Sequence, residues 1–188
     1  MFRWRILIIV NNKSYNIWTS SKAIHNDLLI AKELLYNKCG FDCTLPRAES
    51  ESADYGAYTF EISGLSIKYR VAKITPTKIG QFVTLWKREG KGPIQPFHNS
   101  DNIDLFIVST RKDNYFGQFI FPKSVLLEKG IISDCNNEGK RAIRVYPPWD
   151  NTTSRQALKT QKWQLEYFME IIEDQSIDLT RAKKLFQR

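Results

Sequence analysis

The sequence predicts an α+β domain with a mainly antiparallel sheet, flanked by an N-terminal helix, short helices and a long C-terminal helix. Three observations predict it. Residues 58–62 and 67–71 alternate apolar and polar side chains on either side of Ser63-Gly64, the pattern of a hairpin. Leu105-Phe106-Ile107-Val108 is apolar on both faces, as a central strand is. The short turn at 111–114 then returns the chain into residues 116–121, a second strand antiparallel to the first. Leu105, Ile107 and Phe119 are therefore expected in the core.

The remaining elements follow in order. Residues 1–19 read as a strand-like apolar run and a polar loop, an extension outside the main domain. Ser20 or Ser21 can cap a helix whose stripe is Ile24, Leu28, Ala31 and Leu35, stopped at Cys39-Gly40. Residues 41–55 form an extended connection carrying Glu49, Glu51 and Asp54. After Thr75-Pro76-Thr77 a short helix is expected, with Ile79, Phe82, Val83 and Trp86 on one face. Residues 89–100 are a Gly/Pro-rich loop, 123–129 a short helix and 141–146 a strand ended by Pro147-Pro148. Thr153 and Gln156 spell a capping box for a long helix striped by Leu158, Gln161, Leu165, Phe168 and Ile172. Residues 20–174 thus make one domain, and residues 175–188 a basic amphipathic tail.

Composition narrows the class. The 188 residues are 42% hydrophobic, with a mean hydropathy of -0.40, which excludes a disordered chain. The longest apolar run near the start, Ile6 to Val10, is far too short to span a membrane, and it is not followed by a cleavage site. No membrane insertion is expected. Cys39, Cys43 and Cys135 form no C-x-x-C pair, so reduced thiols in a cytoplasmic protein, and no metal or cofactor, are expected.

The net charge of +8 is local. Lys68, Arg70, Lys73, Lys78, Lys87 and Arg88 lie in one stretch without Asp or Glu, leaving the rest of the chain only +2. Lys73 falls on the apolar parity of its strand, either past the sheet edge or at a pocket mouth. Thr75 to Gly80 reads as a strand-to-helix junction at which backbone N–H groups, hydroxyls and Lys78 would hold an anion. Lys123, after Pro122, repeats that arrangement. Arg144 sits mid-strand, paired or lining a cleft. Trp149, following two prolines, is exposed to stack, with Trp86 and Tyr146 as further candidates.

Three blocks, residues 72–88, 116–123 and 144–149, resemble the MepB family over residues 49–168. The resemblance implies a bacterial, cytoplasmic protein whose family name derives from a gene beside a multidrug efflux pump and its repressor. It implies no established reaction, and only a loose kinship with nucleic-acid-binding α/β folds.

Catalytic groups are sparse. His25 and His98 lack neighbours that would make either a base, and Glu89-Gly90-Lys91 and Glu138-Gly139-Lys140 spell an acid-x-Lys nuclease motif only through turn-forming glycine. Whether the chain is an enzyme stays open, and no catalytic residue is assigned. The expected function is binding of nucleic acid, single-stranded by preference, or of a nucleotide. The ligand would lie in a basic cleft of Arg70, Lys73, Thr75, Lys78, Arg88, Lys123, Arg144 and Trp149. The alternatives are a metal-dependent nuclease and an interaction partner of an efflux system. Six phosphate contacts would give a log–log salt slope near about -4, and Lys73, Lys78 and Lys123 are expected to share one anion site.

Overall fold

The structure, a computed structural model, describes Trp18, residues 24–172 and residues 177–187. The expected strand-like run in residues 1–19, Trp18 apart, and the expected caps Ser20 and Ser21 lie outside the described residues.

The first described helix begins with α1 (Asn26–Ala31), where the His25 imidazole accepts from the Asp27 N–H as N-cap. It passes through a π-helical turn, Lys32–Tyr36, and ends in α2 (Asn37–Cys39) against Gly40 in the left-handed region. A six-stranded sheet follows in the order β1 (Arg47–Ala48), β2 (Tyr58–Ile62), β3 (Leu65–Val71), β8 (Leu105–Lys112), β9 (Tyr115–Pro122), β11 (Phe168–Glu170). All its pairings are antiparallel except β3 with β8. Both expected hairpins are present. Ser63 and Gly64 have φ of 49° and 84°, the paired positive values that match the twist of a two-residue turn.

A second sheet has three strands in the order β10 (Ala142–Val145), β5 (Lys78–Thr84), β4 (Lys73–Thr75). Here the sequence reading is corrected: residues 78–88 form β5 and β6 (Trp86–Arg88), not a helix. Ile79, Phe82, Val83 and Trp86 fit a helical stripe, while Val83 and Leu85 alternate with Phe82, Thr84 and Trp86 as in a strand, and pairing with β4 and β10 decides for extended chain. Residues 89–100 also hold a strand, β7 (Ile94–Pro96), paired with β6.

The sheets stack. Val83 and Val145 of the smaller sheet, with Leu85 just past β5, pack with Phe106, Val108 and Phe119 of the larger one. On the far face of the larger sheet, Leu28, Leu35 and Tyr36 pack over Ile62, Ile67 and Ile107. Leu105, Ile107 and Phe119 are fully buried, as expected. The short helix α3 (Lys123–Glu128) stands where expected.

Two C-terminal readings change. Helix α4 (Arg155–Gln164) is capped by Ser154 rather than Thr153, and stops before the expected stripe is complete. Leu165 opens a 3-10 turn and Phe168 enters β11, because the open edge of β9 takes a strand there. Leu158 is consequently exposed. The amphipathic tail packs onto the domain: in α5 (Leu179–Phe186), Ala182, Leu185 and Phe186 are buried, and the Phe186 ring lies 4.8 Å from the Phe41 ring. Among the described residues no helix is long and apolar enough to cross a membrane.

Candidate nucleic-acid interface

Register across the small sheet builds the site. Lys73 of β4, Phe82 of β5 and Arg144 of β10 are direct cross-strand partners, so their side chains leave one face in a row. That face is turned away from the core that Val83 and Val145 bury. The Arg144 guanidinium lies over the half-buried Phe82 ring at 5.9 Å, and the exposed Lys73 ammonium over Tyr55 at 4.6 Å. Tyr55 in turn meets Phe82 edge-on at 6.1 Å. Cation and ring therefore alternate across three strands.

Arg144 also fixes the β4–β5 turn. It donates to the carbonyl of Gly80 at 2.9 Å and to the Thr75 hydroxyl at 2.7 Å. Gly80 has φ +83°, and a Cβ there would meet the Tyr146 ring at 2.5 Å. Tyr146 thus lies flat against a backbone only glycine supplies. Thr84, Trp86 and Arg88 continue the half-exposed parity of Phe82, while Val83 and Leu85 are buried. Beside β10 a hollow of about 340 Å³ adds Lys129, Lys140 and Trp163 to Arg144 and Tyr146.

The structure brings together Lys73, Thr75, Lys78 and Arg144 from the residues singled out in sequence, with Arg88 farther along the same face. Others are withdrawn from it. Arg70 is 1% exposed and bonds the Glu49 carboxylate at 2.5 Å, which Lys68 also holds at 2.5 Å. Burial alone would raise the Glu49 carboxyl, but Arg70, Lys68 and Thr59 hold it below its ordinary value. Arg88 bonds Glu51 at 3.1 Å, and Lys87 bonds Asp101 at 2.6 Å. Of the six cations between residues 68 and 88, only Lys73 and Lys78 lack a carboxylate among the described residues. Carboxylates distant in sequence neutralise the remainder.

Two expectations about lysines are overturned. Lys78 opens a strand, so no helix N-terminus stands there. Lys123 does open α3, but its ammonium is spent on the carbonyls of Asn99 and Asp101 at 3.0 and 2.9 Å. It follows Pro122, which pairs with Leu105 at one end of β8. Gln81 of β5 instead reaches Arg111 at the other end. Those ends are about 20 Å apart at strand rise, so Lys123 does not share a site with Lys73 and Lys78. Lys73 escapes the apolar parity of β3 because the chain changes sheets at Ala72.

Trp149 is also corrected. It is half-buried, stacked on Tyr115 at 5.4 Å and edge-on to Phe168 at 5.5 Å. Sequence pattern does not mark Phe82 and Tyr55 as site residues: the helical stripe places Phe82 on a core face, and nothing local singles out Tyr55. The alternation of Phe82, Thr84, Trp86 and Arg88 against Val83 and Leu85 was the available signal. Glu89-Gly90-Lys91 and Glu138-Gly139-Lys140 lie outside the strands. Among the described residues no three His, Cys, Asp or Glu side chains converge as a metal site.

A family model described as MepB-like matches residues 49–170. The chain is similar to the crystal structure of MepB, with a TM-score of 0.69 and 31% identity, over 81% of this chain and 99% of that one. A bacterial homing endonuclease superposes with a TM-score of 0.43 and 13% identity, over 83% of this chain and 92% of that one, too weak a likeness to carry an argument. Against curated proteins no match is found.

Proposed function

The chain belongs to the MepB-like family, and from that premise we propose that it binds single-stranded nucleic acid or nucleotides on the outer face of the β4–β5–β10 sheet, in the cytoplasm. The observation that carries this reading is the row Lys73–Phe82–Arg144. Cations spaced between half-exposed rings suit a chain whose phosphates and unpaired bases alternate. A duplex hides its base faces, so rings on an open sheet favour single strands.

The test is fluorescence anisotropy of a labelled ten-nucleotide thymidine strand at low salt, with and without magnesium, followed by a denaturing gel. Saturable binding with an intact strand supports the proposal. No binding at low salt overturns it, and cleavage dependent on magnesium turns it into a nuclease.

A further inference from the structure

Beyond that face, the β4–β5 turn overhangs the end of the β8–β9 hairpin and leaves a groove of about 410 Å³, lined in part by Ile74, Lys78, Ile79, Gln81, Lys112 and Asp150. Three features set it apart from ordinary surface. Gln81 is only 1% exposed; its amide N–H reaches the Arg111 carbonyl at 3.4 Å, but its Oε1 has no partner. Asp150 Oδ2 is likewise buried without a partner, the carboxylate's other oxygen lying 3.9 Å from Lys112 Nζ. Ile74 and Ile79, 59% and 46% exposed, leave apolar surface in water at the same place.

A buried acceptor without a donor costs free energy unless something supplies that donor. Two such oxygens on residues lining one groove, with the exposed side chains of Ile74 and Ile79 in the same lining, suit a ligand that is flat and carries N–H groups. A guanidinium or ammonium ligand would supply them, but Lys78 and Lys112 repel cations. Adenine and cytosine each offer N–H groups on one exocyclic nitrogen only. Guanine offers N1–H and N2–H on adjacent atoms, with O6 and N7 free to accept from a lysine. We infer that this groove is a guanine pocket, holding the base edge on Asp150 and Gln81, its faces against Ile74 and Ile79, and its acceptors toward Lys112. The inference rests on the proposed function insofar as Lys78, at the turn, connects the pocket to the outer face.

The experiment compares ten-nucleotide thymidine strands with and without one central guanosine by anisotropy, and titrates free guanosine and adenosine monophosphates by calorimetry. One guanosine should tighten strand binding roughly tenfold, the worth of one bidentate base contact, and guanosine monophosphate should bind where adenosine monophosphate does not. Asp150→Asn, which presents a donor to a donor, and Lys112→Ala, on a part-exposed side chain, should each abolish the preference while leaving the melting temperature and the all-thymidine affinity unchanged. Strands that bind without preference overturn the pocket and leave the outer face standing. Guanosine monophosphate binding without any strand binding supports the pocket and removes the outer-face reading. Binding of neither, or a preference that survives both variants, overturns the pocket.

Discussion

Arg144 donates to the Thr75 hydroxyl at 2.7 Å from the far side of β5, so one guanidinium ties the two outer strands of the small sheet together. The residue therefore has a structural duty besides any contact with a ligand. Arg144→Lys keeps the charge and loses the fork. It should lower the melting temperature by about 2–6 °C, the worth of one or two net hydrogen bonds in a chain of this size. Differential scanning calorimetry checks this, and an unchanged midpoint would show that the turn holds without the guanidinium.

Salt dependence should be shallower than the basic stretch suggests. Lys68, Arg70, Lys87 and Arg88 are neutralised within the fold, which leaves Lys73, Lys78 and Arg144 for phosphates. At roughly 0.7 per contact, a single strand should give a log–log slope of about -2 rather than about -4. Lys73→Ala should make the slope shallower by about 0.7 and leave the melting temperature unmoved, because the side chain is exposed. Anisotropy titrations at four salt concentrations measure both slopes.

Glu49 sets an acid limb of stability. Its folded carboxyl lies below the ordinary value of 4.5, so its contribution is fully present above that value and is lost as pH falls through the folded one. Glu49→Gln leaves the buried Arg70 guanidinium without its countercharge, which should cost about 3–5 kcal/mol at neutral pH. Urea unfolding between pH 7 and about pH 3 should show the gap between wild type and variant closing in the acid range. A gap that stays constant would place the acid sensitivity elsewhere.

Gly80→Ala should cost about 1–2 kcal/mol from its left-handed backbone alone, and more because the new methyl group meets the Tyr146 ring. Displacing that ring strips the outer face of one of its aromatic surfaces. Strand affinity should fall even at temperatures where the variant remains folded, as circular dichroism and anisotropy on the same sample would show.

Local pattern was sufficient wherever only one period fitted. The hairpin of β2 and β3 and the central pair β8 and β9 follow from strict alternation or two-faced apolarity, each joined by a short turn. Residues 78–88 failed that condition. Ile79, Phe82, Val83 and Trp86 satisfy a helical stripe, yet the same residues also fit a strand, and only the presence of β4 and β10 as neighbours decides between them. Residues 165–170 failed in the same way, since the unpaired edge of β9 outcompetes one more turn of helix.

By itself the sequence determined the α+β class, the antiparallel hairpins, the family resemblance and the excess of cations in one stretch, because these depend on residues close along the chain. Which cations are free was decided by tertiary structure alone. Glu49, Glu51 and Asp101 come from segments up to 37 residues away to claim Arg70, Arg88 and Lys87, and Coulomb attraction depends on distance in space, not on separation in sequence. The row Lys73–Phe82–Arg144 is likewise a property of register, and register exists only once three strands have paired.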